Sequence, residues 1–128
     1  MVVDSSVLLA ILFQEEGYEA FLQAIREAPK TTVGAPTLVE TAVAFGRRVG
    51  FERAHLVERL VEELGLEVLP FAKEHYREAV RAYARYGKGR HPAGLNLGDC
   101  LSYTVAGVEG EPLLYKGEVF RKTDLGKG

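Results

Sequence analysis

Residues 1–12 read MVVDSSVLLAIL, in which a very short β-branched strand is followed at once by a polar turn and then by an apolar helix. Valine favours strands, whereas Asp4, Ser5 and Ser6 are residue types that cap the N-terminus of a helix. The apolar side chains of residues 7–12 recur at helical spacing. A strand that passes directly into a helix is typical of a β-α-β unit, in which the chain returns to form a parallel strand.

The rest of the chain repeats this alternation of strand and helix. Short apolar strands are predicted at residues 31–33, 66–69 and 112–115. Helical spacing, together with helix-ending glycine or proline, predicts helices at about residues 16–28, 36–49, 52–64, 72–86 and 97–108. Helices that connect parallel strands cover both faces of the sheet. We therefore predict an α/β fold, a single three-layer α/β/α domain over residues 1–128 with a central parallel sheet.

The predicted helix over residues 72–86 ends at a long loop. Its spacing predicts that Ala79, Val80, Tyr83 and Ala84 face inward. The loop that follows, residues 87–94, reads GKGRHPAG, and its glycines and proline prevent regular structure.

The composition is that of an ordinary globular protein. The 128 residues include 16 basic and 18 acidic side chains, for a formal net charge of −2, and 47% are hydrophobic. This balance excludes a disordered chain and argues against a nucleic-acid binder that relies on a large basic surface. Cys100 is the only cysteine, which excludes an intramolecular disulfide and favours the cytoplasm. The longest apolar run, residues 7–13, is far below the roughly 20 residues of a membrane span.

Three acidic residues occupy positions where a parallel sheet places its functional groups. Asp4 follows the first strand, Glu40 lies in the first turns of the helix after the second strand, and Asp99 lies where a helix opens after the long loop. Functional sites of open parallel sheets lie beyond the carboxyl ends of the strands, so these three side chains can face the same edge. Taken singly, Asp4 and Asp99 are better explained as helix caps than as metal ligands, and Glu40 as a solvated helix residue; only the occurrence of all three together favours a metal site.

Four segments together resemble one known family. They read VVDSS at residues 2–6, PTLVET at 36–41, RYGKGRHPAGLNLGDC at 85–100 and PLLYKGEVFRKTD at 112–124. They are similar to the PIN-domain ribonucleases, and specifically to the VapC-type toxins of toxin–antitoxin pairs. The resemblance covers essentially the whole chain, and the segment at 85–100 is its most specific part.

The resemblance implies a magnesium- or manganese-dependent endonuclease that cuts RNA. Asp4, Glu40 and Asp99 fall on the family's clustered acidic residues, with Asp4 and Asp99 as direct ligands of the metal. Glu40 would hold a water of the metal or help to remove its proton. Hard divalent cations take oxygen ligands, which agrees with a site of carboxylates. The family also implies a cognate antitoxin of the VapB type that holds the toxin inactive, and a homodimer.

The chain departs from the family in the loop after the last strand. Where the family usually carries an acidic residue next to the phenylalanine, this chain has Val119 beside Phe120. Glu118 or Asp124 can supply this fourth carboxylate, and the sequence does not choose between them. An alternative interpretation is therefore a PIN-like module with weak or no catalysis that binds RNA or a protein.

The loop before Asp99 carries three basic or titratable side chains, Lys88, Arg90 and His91. Beside an acidic metal site they would let RNA phosphates approach. A solvated charged loop explains them equally well.

Overall fold

A four-stranded, fully parallel sheet lies between two layers of helices in the computed structural model, which describes residues 1–127. The strand order is β3-β2-β1-β4. The strands and helices, in chain order, are β1 (Val2–Val3), α1 (Ser5–Leu12), α2 (Tyr18–Glu27), β2 (Thr32–Gly34), α3 (Ala35–Val49), α4 (His55–Leu64), β3 (Glu67–Leu69), α5 (Lys73–Tyr86), α6 (Leu97–Glu109) and β4 (Leu113–Leu114).

Strand β1 is the centre of the fold. Val2 pairs with Thr32 of β2 on one side and with Leu113 of β4 on the other. Its two valines are fully buried, and because successive side chains of a strand point to opposite faces, they belong to two separate apolar clusters. Helices cover both faces of the sheet, which confirms the predicted α/β architecture with a central parallel sheet.

The parallel register brings the carboxyl ends of the strands to one edge. Asp4 follows β1 directly, and α3 starts at the residue after β2. All strand pairs are parallel, so the first residues of α1 and α3 lie at the same edge. Helix α6 packs against α3, β1 and β2 and brings its N-terminal turn to this edge as well.

Most predicted boundaries agree with the structure to within two residues. Helix α2 starts at Tyr18 because Gly17 has a φ of 86°, a left-handed conformation that interrupts a helix. Residues 51–53 form a separate 3₁₀ turn ahead of α4. No helix in residues 1–127 combines the length and the apolarity that a membrane crossing requires.

The predicted inward face of α5 was wrong for three of its four residues. Ala79 is buried as expected, but Val80 is 63% exposed, and Tyr83 and Ala84 are exposed too. The buried face also contains Ala82. The buried face runs through His75, Ala79, Ala82 and Tyr86, so the helix is rotated about its axis relative to the predicted face.

Candidate functional site

Asp4 is a buried carboxylate at the junction of β1 and α1. Its side chain is only 3% exposed, and it caps α1 by accepting a hydrogen bond from Ser6 N at 3.1 Å. The same oxygen, Oδ2, accepts a second bond from Ser6 Oγ at 2.6 Å. The other oxygen, Oδ1, accepts a bond from Ser102 Oγ at 2.5 Å. Asp4 therefore caps α1 and is also bound to α6 through Ser102.

Glu40 links the first residue of α1 to the N-terminal turn of α6. Its Oε1 accepts a hydrogen bond from Ser5 Oγ at 2.8 Å. Its Oε2 lies so close to Gly98 that a Cβ at that position would overlap the carboxylate. Glycine at residue 98 thus gives the Glu40 carboxylate its place directly beside Asp99.

Asp99 is the third residue of α6 and forms a reciprocal cap with Asn96. Asp99 N donates to Asn96 Oδ1 at 2.8 Å, and Asn96 N donates to Asp99 Oδ2 at 3.0 Å. This cap fixes the side chain at the N-terminus of the helix, where the helix dipole favours negative charge. The cap occupies Oδ2 and leaves Oδ1 without a hydrogen-bond donor among residues 1–127.

Burial and neighbouring charge raise the pKa of Glu40 and of Asp99. Burial raises the pKa of Glu40 most, the hydrogen bond from Ser5 lowers it, and the charges of Asp4 and Asp99 raise it further. Burial also raises the pKa of Asp99, against the hydrogen bond from Asn96 N, and the charge of Asp4 adds to the rise. None of the ion pairs among the residues that the structure describes includes any of the three acids. The site carries excess negative charge.

This charge predicts a pH-dependent stability difference for Glu40→Gln in the absence of metal. The pKa of folded Glu40 lies above its ordinary 4.5, so the ionised carboxylate costs stability at pH 7. This cost disappears as the pH falls through the raised pKa to below 4.5, because the group is then protonated in both states. We expect the variant to be more stable than the parent chain in EDTA at pH 7, and the difference to vanish near pH 4.

Urea unfolding at the two pH values measures this difference. Glu16→Gln is the control, since Glu16 is exposed in the turn between α1 and α2 and a surface change of this kind stays within about 0.5 kcal/mol. A loss of stability in Glu40→Gln at pH 7 would show that the carboxylate serves the fold.

The arrangement fits a hard divalent cation. In residues 1–127 no group of three or more His, Cys, Asp or Glu side chains is placed to hold an ion with protein ligands alone, so a cation here would keep other ligands such as water. Magnesium takes one or two carboxylates and keeps several of its waters. An all-oxygen donor set without a basic partner, at an open edge, suits that requirement. It does not suit a structural zinc ion, which needs four nitrogen or sulfur ligands.

The two candidates for a fourth acid are engaged with other partners. Glu118 is exposed and pairs with Arg121 at 3.4 Å. Asp124 is exposed and accepts a hydrogen bond from Tyr103 OH at 2.6 Å. Neither is among the charges that raise the pKa of Glu40 or Asp99. The structure brings together Asp4, Glu40 and Asp99 and does not bring either candidate to them.

The loop with the three basic or titratable side chains is folded against the end of α5. Arg90 Nε donates to Ala84 O at 3.0 Å, and His91 packs edge-on against Tyr86 with its Nδ1 accepting from Ala93 N. Lys88 is exposed. His91 is therefore engaged in the loop's own structure, whereas Lys88 is free to meet solvent. A contact of these residues with RNA stays a prediction.

Sequence reasoning missed Ser102 and Thr37. Both are 1% exposed, and their hydroxyl oxygens lie 3.3 Å apart next to Asp4. The available signal was spacing, because Ser102 follows Asp99 by three residues and so shares its face of the helix. A serine in a helix has many ordinary explanations, and the strand end that it meets is distant in sequence.

Comparison with known proteins identifies the family of this chain. The sequence profile of the PIN domain matches residues 1–125. Ribonuclease VapC42 of Mycobacterium tuberculosis is 40% identical over 126 residues, covering 98% of this chain and 96% of the relative. Ribonuclease VapC of Mycolicibacterium smegmatis is 40% identical over 125 residues, covering 98% and 97%.

Two solved structures share the fold at low sequence identity. VapC20 of Mycobacterium tuberculosis, described as a sarcin-ricin loop cleaving toxin, superposes with a TM-score of 0.73 at 16% identity, over 91% of this chain and 89% of that one. A toxin-antitoxin complex from Klebsiella pneumoniae gives a TM-score of 0.67 at 14% identity, over 91% and 86%. The profile match and the relatives at 40% identity place this chain in the PIN-domain family, among the VapC ribonucleases.

Proposed function

We propose that this protein is a divalent-metal-dependent endoribonuclease that hydrolyses RNA phosphodiester bonds, the toxin of a toxin–antitoxin module. One observation carries the proposal. Carboxylates from the starts of α1 and α6 and from α3 meet at the carboxyl edge of the sheet without a basic partner among the described residues. Relatives that are 40% identical over nearly their full length are named as ribonucleases.

Each of the three acids would have a different role in hydrolysis. Asp4 and Asp99 would hold the cation, Mg²⁺ or Mn²⁺, which supplies positive charge for the phosphate oxygens and makes a water a better nucleophile. Glu40 has Oε1 fixed by Ser5. Its Oε2 has no hydrogen-bond donor among residues 1–127, and the raised pKa makes the carboxylate a stronger base. Glu40 Oε2 is the atom that takes the proton of the attacking water.

The substrate would approach over the loop ahead of α6. Lys88 and Arg90 are exposed there, and one residue of the loop, Gly87, is tied back to Leu95 by a β-bridge. The bridge holds the two basic residues on the segment that leads directly into the helix carrying Asp99. Cationic side chains beside a negative site attract the phosphate backbone, whose affinity depends on neutralising its charge.

An antitoxin would bind away from the acidic cluster, along α3 and α4. A groove there has an apolar floor that includes Leu38, Val57 and Val61, and its rim includes Glu58 and Glu62. An amphipathic helix places an apolar stripe in such a groove. The acidic rim favours a segment whose polar face is basic. The structural similarity to a toxin-antitoxin complex supports a partner of this kind.

A homodimer would form through the surface around Leu97, which is 69% exposed. This residue lines two neighbouring grooves, one with Val80 and Arg90 and the other with Val39 and Glu40. A two-fold axis near Leu97 would pack the exposed apolar side chains around it, including Val39 and Val80, against those of the partner copy.

We expect Leu97→Glu to convert the dimer to a monomer, because it sets two like charges at the axis. Glutamate at the first residue of a helix is compatible with the helix dipole, so the fold is retained. Sedimentation velocity measures the result. Val108→Glu, in the last turns of the same helix, is the control that stays dimeric. A sedimentation coefficient of a monomer for the unaltered protein would contradict the proposed dimer.

The function is tested by incubating the purified protein with labelled RNA in Mg²⁺ or Mn²⁺ and in EDTA. Internal cleavage products that require the metal support the proposal. Because Val119 replaces an acidic residue and no fourth carboxylate joins the cluster among the described residues, a binding module is the specific rival. Retention of RNA in a filter-binding assay, without cleavage in either metal, would establish that rival instead.

A further inference from the structure

The hydrogen bonds around Asp4 assign a role to Ser102 that rests on the proposed metal-dependent function. We propose that Ser102, supported by Thr37, is a positioning residue that holds Asp4 so that Oδ1 is the oxygen that binds the cation. Ser102 touches neither the substrate nor the reacting atoms. It acts through Asp4.

Asp4 has one acceptor position that residues 1–127 leave open. An ionised carboxylate offers about four lone-pair directions, two on each oxygen. Oδ2 accepts from both the backbone N and the Oγ of Ser6, at 3.1 and 2.6 Å, and is therefore filled. Oδ1 accepts from Ser102 alone, at 2.5 Å. The remaining acceptor direction of this buried side chain is on Oδ1.

The two hydroxyls behind Asp4 donate in one direction. Ser102 has one hydroxyl hydrogen, and the bond to Asp4 uses it. In the contact of 3.3 Å between Ser102 Oγ and Thr37 Oγ1, the donor must then be Thr37. Two buried hydroxyls thus form a one-way chain from α3 through α6 to the carboxylate, and bonds to an ionised acceptor are the strong members of such a chain.

Ser102 and Asp99 lie on the same turn of α6. Ser102 lies three residues after Asp99, so the two side chains share one face of the helix. One turn of α6 then supplies both a carboxylate ligand, Asp99, and the hydroxyl that orients the other carboxylate ligand, Asp4.

The test compares three variants that each remove one buried hydroxyl or its hydrogen bonds. Ser102→Ala removes the donor to Asp4, and Thr37→Val removes the donor behind it while preserving volume. Thr104→Val is the matched control, because Thr104 lies on the same helix, is 1% exposed, and its hydroxyl has no hydrogen-bond partner in the described part of the chain. The readouts are Mn²⁺ affinity by electron paramagnetic resonance, RNA cleavage and thermal unfolding in EDTA.

We expect Ser102→Ala to bind Mn²⁺ about 10- to 100-fold more weakly, the range for residues that orient metal ligands. Thr37→Val should weaken binding in the same direction by less, and Thr104→Val should bind like the parent chain. If Ser102→Ala does not fold, Thr37→Val alone decides the matter. In a crystal with Mn²⁺, the atom of Asp4 on the ion should be Oδ1.

The outcomes separate this inference from the function on which it rests. Parent protein that binds Mn²⁺ and cleaves RNA, with equal affinity in Ser102→Ala and Thr37→Val, overturns the role of Ser102 alone. A lower unfolding temperature with unchanged Mn²⁺ affinity shows that the hydroxyls only hold the fold, and also overturns it. Parent protein that binds no Mn²⁺ overturns both the proposed function and the inference.

Discussion

Replacing Asp99 by asparagine is expected to lower RNA cleavage by at least about 10³-fold and to leave the fold intact. The carboxylate is a proposed ligand of the cation, whose charge is worth several kcal/mol in the transition state, and each 1.36 kcal/mol corresponds to a factor of ten in rate. Asparagine keeps the cap of α6, since its carbonyl oxygen can accept the bond from Asn96 N that Asp99 Oδ2 accepts. The change removes charge with little change of shape.

The stability of the metal-free variant is the second half of this prediction. Burial and the charge of Asp4 raise the pKa of Asp99, so the ionised form is held against an unfavourable environment at pH 7. Removing that charge should leave the unfolding temperature in EDTA equal or higher. Added Mn²⁺ should raise the unfolding temperature of the parent protein and have little effect on the variant, because ligands stabilise only the state that binds them.

A matched control for Asp99→Asn lies at the other end of the same helix. Glu109 is exposed in the last turn of α6, and Glu109→Gln should retain full cleavage. The idea of a catalytic metal site fails if Asp99→Asn, shown to be folded, still cleaves RNA within a few-fold of the parent. The carboxylate would then be a helix cap and nothing more.

The edge of the sheet was predictable from the sequence because two rules locate it. Parallel strands bring their carboxyl ends together, and a polar residue directly after a short apolar strand has no place to lie but this edge. Asp4 satisfies both rules within five residues of the N-terminus. Glu40 and Asp99 follow because each lies near the start of a helix whose N-terminus must return to the same edge.

The partners of the carboxylates were harder to predict, because they depend on side-chain geometry across elements. Ser102 meets Asp4 across 98 residues of sequence. Whether the two side chains meet depends on how α6 is rotated about its own axis. The spacing of apolar residues predicts which broad face of a helix is buried, but it does not predict this angle of rotation. The same uncertainty explains the error at α5, where Val80 and Tyr83 lie on the surface and Ala82 lies inside.

The position of a fourth acid could not be predicted from the sequence either, for a different reason. Residues 115–119, after β4, lie outside the helices and strands of the sheet, so no periodicity fixes where their side chains point. Glu118 turns to Arg121 and Asp124 turns to Tyr103. Local charge and hydrogen bonding decide these orientations, and neither leaves a pattern in the sequence.

Replacing Gly98 by alanine is expected to lower RNA cleavage by about 100-fold, although the substitution itself removes no ionisable group. Gly98 has no left-handed backbone conformation that would demand glycine, and alanine favours a helix over glycine by up to about 1 kcal/mol. The added methyl group would overlap the Glu40 carboxylate. Because that carboxylate is the end of a flexible side chain, it would move rather than the helix, and a displacement of about 1 Å in a catalytic group can cost about 10²-fold in rate.

The matched control for this prediction is Gly107→Ala on the same helix, where a Cβ meets nothing within 4 Å. Both variants should be as stable as the parent chain or more stable, but only Gly98→Ala should lose activity. Combining Gly98→Ala with Glu40→Gln identifies the group through which the methyl acts. If it acts by displacing Glu40, the double variant should be no less active than Glu40→Gln alone. A further large loss of activity in the double variant would show that the methyl group acts elsewhere, at Asp99 or in the path of the RNA. Full activity in Gly98→Ala would contradict the catalytic role of Glu40.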